Sequence, residues 1–376
     1  MLSQLSFGSL SKLFNVKAQG IGIEINSERV NIVQVRRKGK SGFKLVSHAS
    51  TILPEGVVEE GRINDPVVLG EIIRSLIAEK KIKEKKVVTA IPGRETVSRL
   101  IRLPAEISDS ELREMVLNQE ASLYLPFPRE DADVDYQKLG TTLDDDGVER
   151  LEILMVATPK EVTDMYLQAM QTAELNTEVV EVTSFALIRA LKDRLSGFAS
   201  AAEAVAIVDI EYESTEITIA VDGVPQFSRT VAIGTAQIQN AQLRAINLPP
   251  RRNTDMDMLA AMSVPFQNSD TVGLSGQGSS PGDAAIFRVL GDLADELRRS
   301  IDFHTSQNAG SDVIQLLIVG PGACIGELSE FFSQRLGIAA SQVDPLEALS
   351  ISSDVEIPKQ ERMGMSVVLG LSVREP

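Results

Sequence analysis

The sequence has no tryptophan, one cysteine (Cys324) and only two histidines, His48 and His304, among 376 residues. A single cysteine excludes an internal disulfide framework and suits a reducing compartment. Two isolated histidines leave no Ser/His/Asp or Cys/His arrangement and no clustered metal ligands. Cations are also in short supply: 37 Lys and Arg stand against 53 Asp and Glu, for a net charge of −16. The basic footprint that a polyanion requires is missing, which argues against a general nucleic-acid binder. No apolar run approaches the ~20 residues of a membrane span. The first residues lack the basic start, apolar core and small-residue cleavage site of a signal peptide. These absences predict a cytoplasmic protein. What is abundant is apolar side chains, at 43%. That supplies sizeable cores in a chain long enough for two or three domains.

The organising stretch is 204–234. An apolar run, Ala204 to Val208, meets the lone acid Asp209, and a polar turn follows through Ser214 and Thr215. Alternation then resumes through Ile217, Ile219 and Val221, Asp222-Gly223 marks a tight turn, and a third strand ends at Gly234. A half-buried strand has no cheap place for an unpaired carboxylate, so an acid at its end points to a site. A surface hairpin whose Asp caps its own turn is the plainer reading. A second copy of the layout favours the site. Residues 20–35 repeat strand, acid (Glu24), polar turn (Asn26, Ser27) and alternating strand. Two acid-tipped hairpins predict two similar α/β halves facing each other. Residues 316–338 add a buried strand, a turn at Gly320 to Gly322 and an amphipathic helix. Glycines there let backbone approach a ligand closely.

In chain order, residues 1–19 carry apolar residues at roughly helical spacing, suited either to a surface or to packing on the chain's own domain. Residues 20–103 read as the first domain, completed by 179–200 and a final helix 361–374. Residues 104–178 read as an inserted α+β unit. Ser108 and Glu111 make a capping-box pattern, Tyr124-Leu125-Pro126-Phe127-Pro128 forbids helix, and Thr158-Pro159 starts another helix. Residues 201–247 and 313–360 form the second domain, and 248–312 a smaller subdomain. Its stretch 248–283 has little periodicity and is expected to be a mobile loop.

Together these pieces resemble the PilM family of actin-like proteins in type IV pilus machines, over about residues 18–374. The telling segments are 103–128, 181–191 and 296–307. The resemblance implies an actin-like, ribonuclease H-like duplicated α/β fold. An extra subdomain of the type found in FtsA would be inserted in its first half. FtsA itself is disfavoured, because its membrane helix follows the last core helix whereas this sequence ends at Pro376.

The resemblance further implies ATP and Mg between the halves. Glu24, Asn26 and Ser27 would face one side of the phosphates, and Asp209, Ser214 and Thr215 the other. Gly234 would lie behind them, Gly320 and Gly322 beneath the adenosine, and Asp209 would hold the metal through water. It implies a groove for the N-terminal tail of the inner-membrane protein PilN, formed by Val97, Arg99, Leu100, Arg102, Tyr124, Leu125, Pro126 and Phe127. Other pilus platform and motor proteins would be partners, and the membrane would be reached through PilN.

Four positions depart from the family pattern: Asn26 and Glu211 replace turn glycines, Asn31 a lysine, and Pro321 the middle glycine of the adenosine loop. They predict a weakened pocket in a scaffold of twitching motility or DNA uptake, without catalysis. The alternatives are an active ATPase and a filament-forming protein.

Overall fold

The computed structural model describes residues 21–38, 42–144, 147–198, 200, 202–264, 280–308, 310–354 and 356–374. The N-terminal segment, much of the acidic turn around Asp145 and the centre of the 248–283 stretch lie outside these residues.

Two sheets carry the fold. The first has six strands in the spatial order Asn176–Val182, Lys86–Ile91, Ile21–Ile25, Arg29–Lys38, Gly42–Ile52 and Ile351–Ser352. The second has five, in the order Val224–Val231, Thr215–Val221, Glu203–Ile210, Asp312–Val319 and Ala339–Gln342. Each is built around an antiparallel acid-tipped hairpin with a parallel strand on its other side. The central strands are nearly continuous apolar runs, as expected where helices cover both faces. Ile21 to Ile25 is buried throughout, and so is Ala204 to Ile210.

The helices begin where local chemistry dictates. Pro66–Glu79 starts on Asp65, whose side chain accepts from the Val68 amide, with Pro66 at the first position. Pro281–Gln307 starts on a capping box of Ser280 and Asp283 and buries Ile286, Leu290, Leu293 and Leu297 in the second half. Ser366–Ser372 packs so closely on helix Thr183–Ala190 that a Cβ on Gly370 would lie 2.0 Å from the Ala186 carbonyl oxygen.

A third sheet, of three strands, sits apart: Val97–Pro104, Glu149–Pro159 and Ala132–Leu143. Its own small core includes Ile101, Leu103, Leu112, Val116, Ile153 and Met155. This moves the boundaries of the inserted unit. The expected first domain reaches 103, yet Val97–Pro104 pairs with Glu149–Pro159. The expected insertion reaches 178, yet Tyr166 and Met170 of helix Lys160–Thr172 belong to the first half's core, and Asn176–Val182 pairs with Lys86–Ile91. The insertion therefore spans about 97–159. Likewise Ile351–Ser352, assigned from sequence to the second domain, pairs with Phe43 and Lys44 of the first sheet.

Other local expectations also change. Pro159 is the cap residue rather than the first helical one, and the Thr158 hydroxyl donates to the Glu95 carbonyl instead of capping. The expected helix from 361 onward is two helices, Lys359–Met363 and Ser366–Ser372. The described part of 248–283 is anchored at a few points, while residues 248–252 are exposed. Helix Met256–Ala261 buries Leu259, and Met262 and Val264 are also buried.

Candidate functional site

The two hairpin tips meet. Asn26 Oδ1 accepts from the amides of Glu28 and Arg29, making an Asx-type turn. Its amide nitrogen reaches across and donates to Glu211 Oε2 at 2.9 Å. Neither Asn26 nor Glu211 has positive φ. The turns that lost their glycines therefore do not need the left-handed backbone that favours glycine. Beside this bond, Glu28 is buried and accepts from the Thr254 amide and from its hydroxyl at 2.9 Å. The first half is thus latched to the segment before helix Met256–Ala261.

Behind the tips lies a pocket of about 70 Å³ lined by Glu24, Asp209, Glu211, Ser214 and Glu216, among others. Burial pushes the Glu24 carboxyl up to about 7, although its Asn31 hydrogen bond and the Arg29 charge pull the other way. Burial, then the charges of Glu24 and Glu216, holds Asp209 well above the carboxylate range. Glu211 is raised by burial and by Asp209, Glu24 and Glu28. Burial is the common and largest cause, and repulsion between the enclosed carboxylates adds to it at Asp209 and Glu211.

The remaining candidates divide. Ser27 lines the small pocket beside Asn26. Asp209 is buried, its Oδ1 has no hydrogen-bond partner, and a Cβ on Gly320 would stand 2.4 Å from that oxygen. Gly320 has φ of +81°, so glycine there serves both the turn and the approach to Asp209. Gly322 packs on Ile210, and Gly234 packs behind the 211–214 turn. Thr215 does not face the cleft: its hydroxyl donates to the Ile233 carbonyl at 2.6 Å. Asn31 donates to Glu24 and accepts from Ser50.

Sequence reasoning missed Glu216. It accepts from the Thr183 hydroxyl at 2.6 Å and from the Gly93 amide at 3.4 Å, joining the second half to the first. The signal was an acid on an otherwise small and apolar strand. A larger cleft of about 1040 Å³ opens outward from Asn26 and Glu211 toward Pro321 and residues 251–257. No group of three or more potential metal ligands occurs among the described residues. The Asn26–Glu211 bond spans the gap between the hairpins, and behind it the buried Asp209 Oδ1 has no hydrogen-bond partner.

The expected groove residues fall on two faces of the strand. Alternation puts Val97 and Arg99 on the side of buried Ile101 and Leu103, and Leu100 and Arg102 on the other. Arg102 is paired with Glu152. Leu125 packs on the cluster holding Ile101 and Leu103, which anchors the 125–128 arm. Phe127 is half-buried and Pro126 exposed. Leu123 and Tyr124 are exposed at 73% and 41%. Strand Val97–Pro104 is an edge of its sheet. No helix among the described residues is long and apolar enough to cross a membrane.

Duplicated halves with facing acid-tipped hairpins and a glycine-turned loop define an actin-like protein. Solved structures agree with that class. EutJ of Carboxydothermus hydrogenoformans is 13% identical, with a TM-score of 0.50, covering 98% of this chain and 97% of its own. ADP-bound MreB5 of Spiroplasma citri is 10% identical, with a TM-score of 0.50, covering 88% and 94%. Within that class the match is specific: the model of the type IV pilus assembly protein PilM family fits residues 22–253, and the chain belongs to that family. A solved PilM-PilN type IV pilus biogenesis complex is 26% identical, with a TM-score of 0.76, covering 96% of this chain and 99% of its own.

Proposed function

We propose that this chain is a docking scaffold of type IV pilus assembly that binds the N-terminal tail of PilN and reaches the membrane through it. The observation that carries this reading is the near-complete correspondence with a solved PilM-PilN complex. The surface is consistent with it. An edge strand ending near a proline-stiffened arm can add a peptide strand by main-chain hydrogen bonds. Exposed Leu123 and Tyr124 offer the apolar anchors. The prolines lower the ordering cost of the arm.

The scaffold is proposed to work without turnover. Hydrolysis needs an oriented water and stabilisation of developing charge. Here the hairpin tips carry carboxylates and bond to each other. Nucleotide, with or without Mg, is expected to bind more weakly than ~1 μM. The test is an anisotropy titration with a labelled PilN N-terminal tail, alongside a phosphate-release assay. Saturable tail binding with no steady release is expected. Absence of saturation overturns the docking role, and multiple turnover overturns the non-enzymatic one.

A further inference from the structure

Cations are scarce in this acidic chain, yet two short stretches hold a disproportionate share of them. Residues 36–44 and 81–86 carry nine of its 37 Lys and Arg and a single acid, Glu84. The fold brings both stretches to one rim of the six-stranded sheet. Strand Lys86–Ile91 enters the sheet level with the start of Ile21–Ile25, since Ile21 pairs with Val87. On the other side Gly22 pairs with Val33, so strand Arg29–Lys38 runs on past Ile21 as far as Lys38. Its neighbour lies beside this overhang, with Arg36 opposite Lys44 and Arg37 opposite Phe43. Strands that flank a common neighbour are about 10 Å apart, and each residue of overhang adds about 3.3 Å. The 36–38 overhang and the 81–86 loop therefore stand side by side, at the end of the sheet away from the Asn26 turn.

Arg36 to Lys38, Lys81, Lys83, Lys85 and Lys86 are all exposed. Asp354 pairs with Lys44 and Glu178 with Lys86, while Glu84 accepts from the amides of Lys85 and Lys86. Among the described residues Arg36, Lys81, Lys83 and Lys85 have no acid partner. Both members of the Lys44–Asp354 pair are exposed, and such a pair contributes little against a competing anion.

The same rim is where residues 1–20 join the fold, at Ile21. Those residues contain no acid. Leu2, Leu5, Phe7, Leu10, Leu13 and Phe14 recur there at roughly helical spacing, together with Lys12 and Lys17. An acidic protein surface would use the cations and leave these apolar side chains without a role. An anionic bilayer uses both, taking Lys and Arg among its headgroups and apolar side chains at the acyl boundary.

We propose that this rim rests on an anionic membrane surface, with its cations among the lipid headgroups and the adjoining apolar N-terminal residues adding to the attachment. This contact goes beyond docking on PilN and does not rest on it, because it forms with lipid alone.

The test is flotation of the full chain, without PilN, on vesicles of phosphatidylcholine and on vesicles of phosphatidylcholine and phosphatidylglycerol in equal parts. Each is run in low and in high salt, since screening weakens attraction between exposed charges. The rim variant is Arg36→Glu, Lys83→Glu, Lys85→Glu. The control for net charge is Arg113→Glu, Arg244→Glu, Arg288→Glu, on three helices elsewhere. All six side chains are exposed, and a thermal melt checks that the fold survives. If the glutamates destabilise the protein, the same three rim positions are changed to Gln. Flotation is expected on the phosphatidylglycerol vesicles alone and should fall with salt. The rim variant should weaken it at least tenfold, the Gln set less, and the control should leave it unchanged. The proposal is overturned if the natural sequence does not float with phosphatidylglycerol, or floats equally well with phosphatidylcholine alone. It is equally overturned if the folded rim variant floats as the natural sequence does. A PilN tail that fails to bind while this pattern holds removes the docking role and leaves the rim; tail binding without flotation does the reverse.

Discussion

The Asn26 side-chain amide donates to Glu211 Oε2 at 2.9 Å, across 185 residues of sequence. It joins the tips of the two hairpins that organise the halves. With the Glu28–Thr254 latch beside it, the bond turns what the sequence offers as two ligand-facing turns into a contact between the halves. Each consequence can be measured.

The acid cluster makes stability fall as pH rises through a defined window. Glu24 has an ordinary value of 4.5 and a folded value of about 7. Between those pH values the folded state holds more protons than the unfolded one, so stability is present at the acidic end and lost toward pH 7. Glu24 alone sets an upper scale of about 3 kcal/mol. The facing charges are Asp209, Glu211, Glu28, Glu216 and Arg29. Burial of His48 and His304 lowers both imidazoles and acts oppositely, removing stability as pH falls below about 6.5. The comparison is therefore with Glu211→Gln, which keeps an acceptor for Asn26 and deletes one charge. Its melting temperature should exceed that of the natural sequence at pH 8, with the gap closing toward pH 5. A lower value at pH 8 would contradict the repulsion.

Breaking the second latch should be costly. Glu28 is 3% exposed and takes both the amide and the hydroxyl of Thr254. Glu28→Ala leaves buried donors unpaired, an expected loss of about 3 kcal/mol in urea unfolding. Glu28→Gln, which retains an acceptor oxygen, should lose less. Equal losses from the two would mean that charge, not hydrogen bonding, holds the latch.

Gly370→Ala tests the close approach of the last helix. The added methyl would stand 2.0 Å from the Ala186 carbonyl oxygen, and the Gly370 carbonyl already accepts from Arg189. Overpacking of this kind costs about 1–3 kcal/mol or more. Denaturant unfolding reads it directly; a shift within error would show that the helices part freely.

Tyr124→Ala should separate docking from folding. The ring is 41% exposed, so its removal is expected to change stability by less than about 1 kcal/mol. Binding of the PilN tail should fall at least tenfold in the same titration. Loss of stability with normal binding would move the groove elsewhere.

Residue order alone determines the repeated strand–acid–turn–strand layout, because alternation and turn chemistry are local properties of the chain. It determines the cap at Ser108, which accepts from the Glu111 amide while Glu111 returns the bond. It also fixes the proline-stiffened arm, which starts at Leu125 rather than at Tyr124, because Tyr124 closes helix Ala121–Tyr124. Tertiary structure alone decides which sheet a strand enters. Val97–Pro104 reads the same in either unit until Glu149–Pro159 pairs with it, since period-two patterning marks faces and not partners. Tertiary structure also decides what the polar side chains do. Thr215 looks phosphate-facing in sequence but is occupied by the Ile233 carbonyl. Glu211 looks like a defect but is the acceptor for Asn26. A hydrogen bond is satisfied by whatever donor or acceptor the folded chain brings within about 3 Å. At 185 residues' separation, only the fold specifies that neighbour.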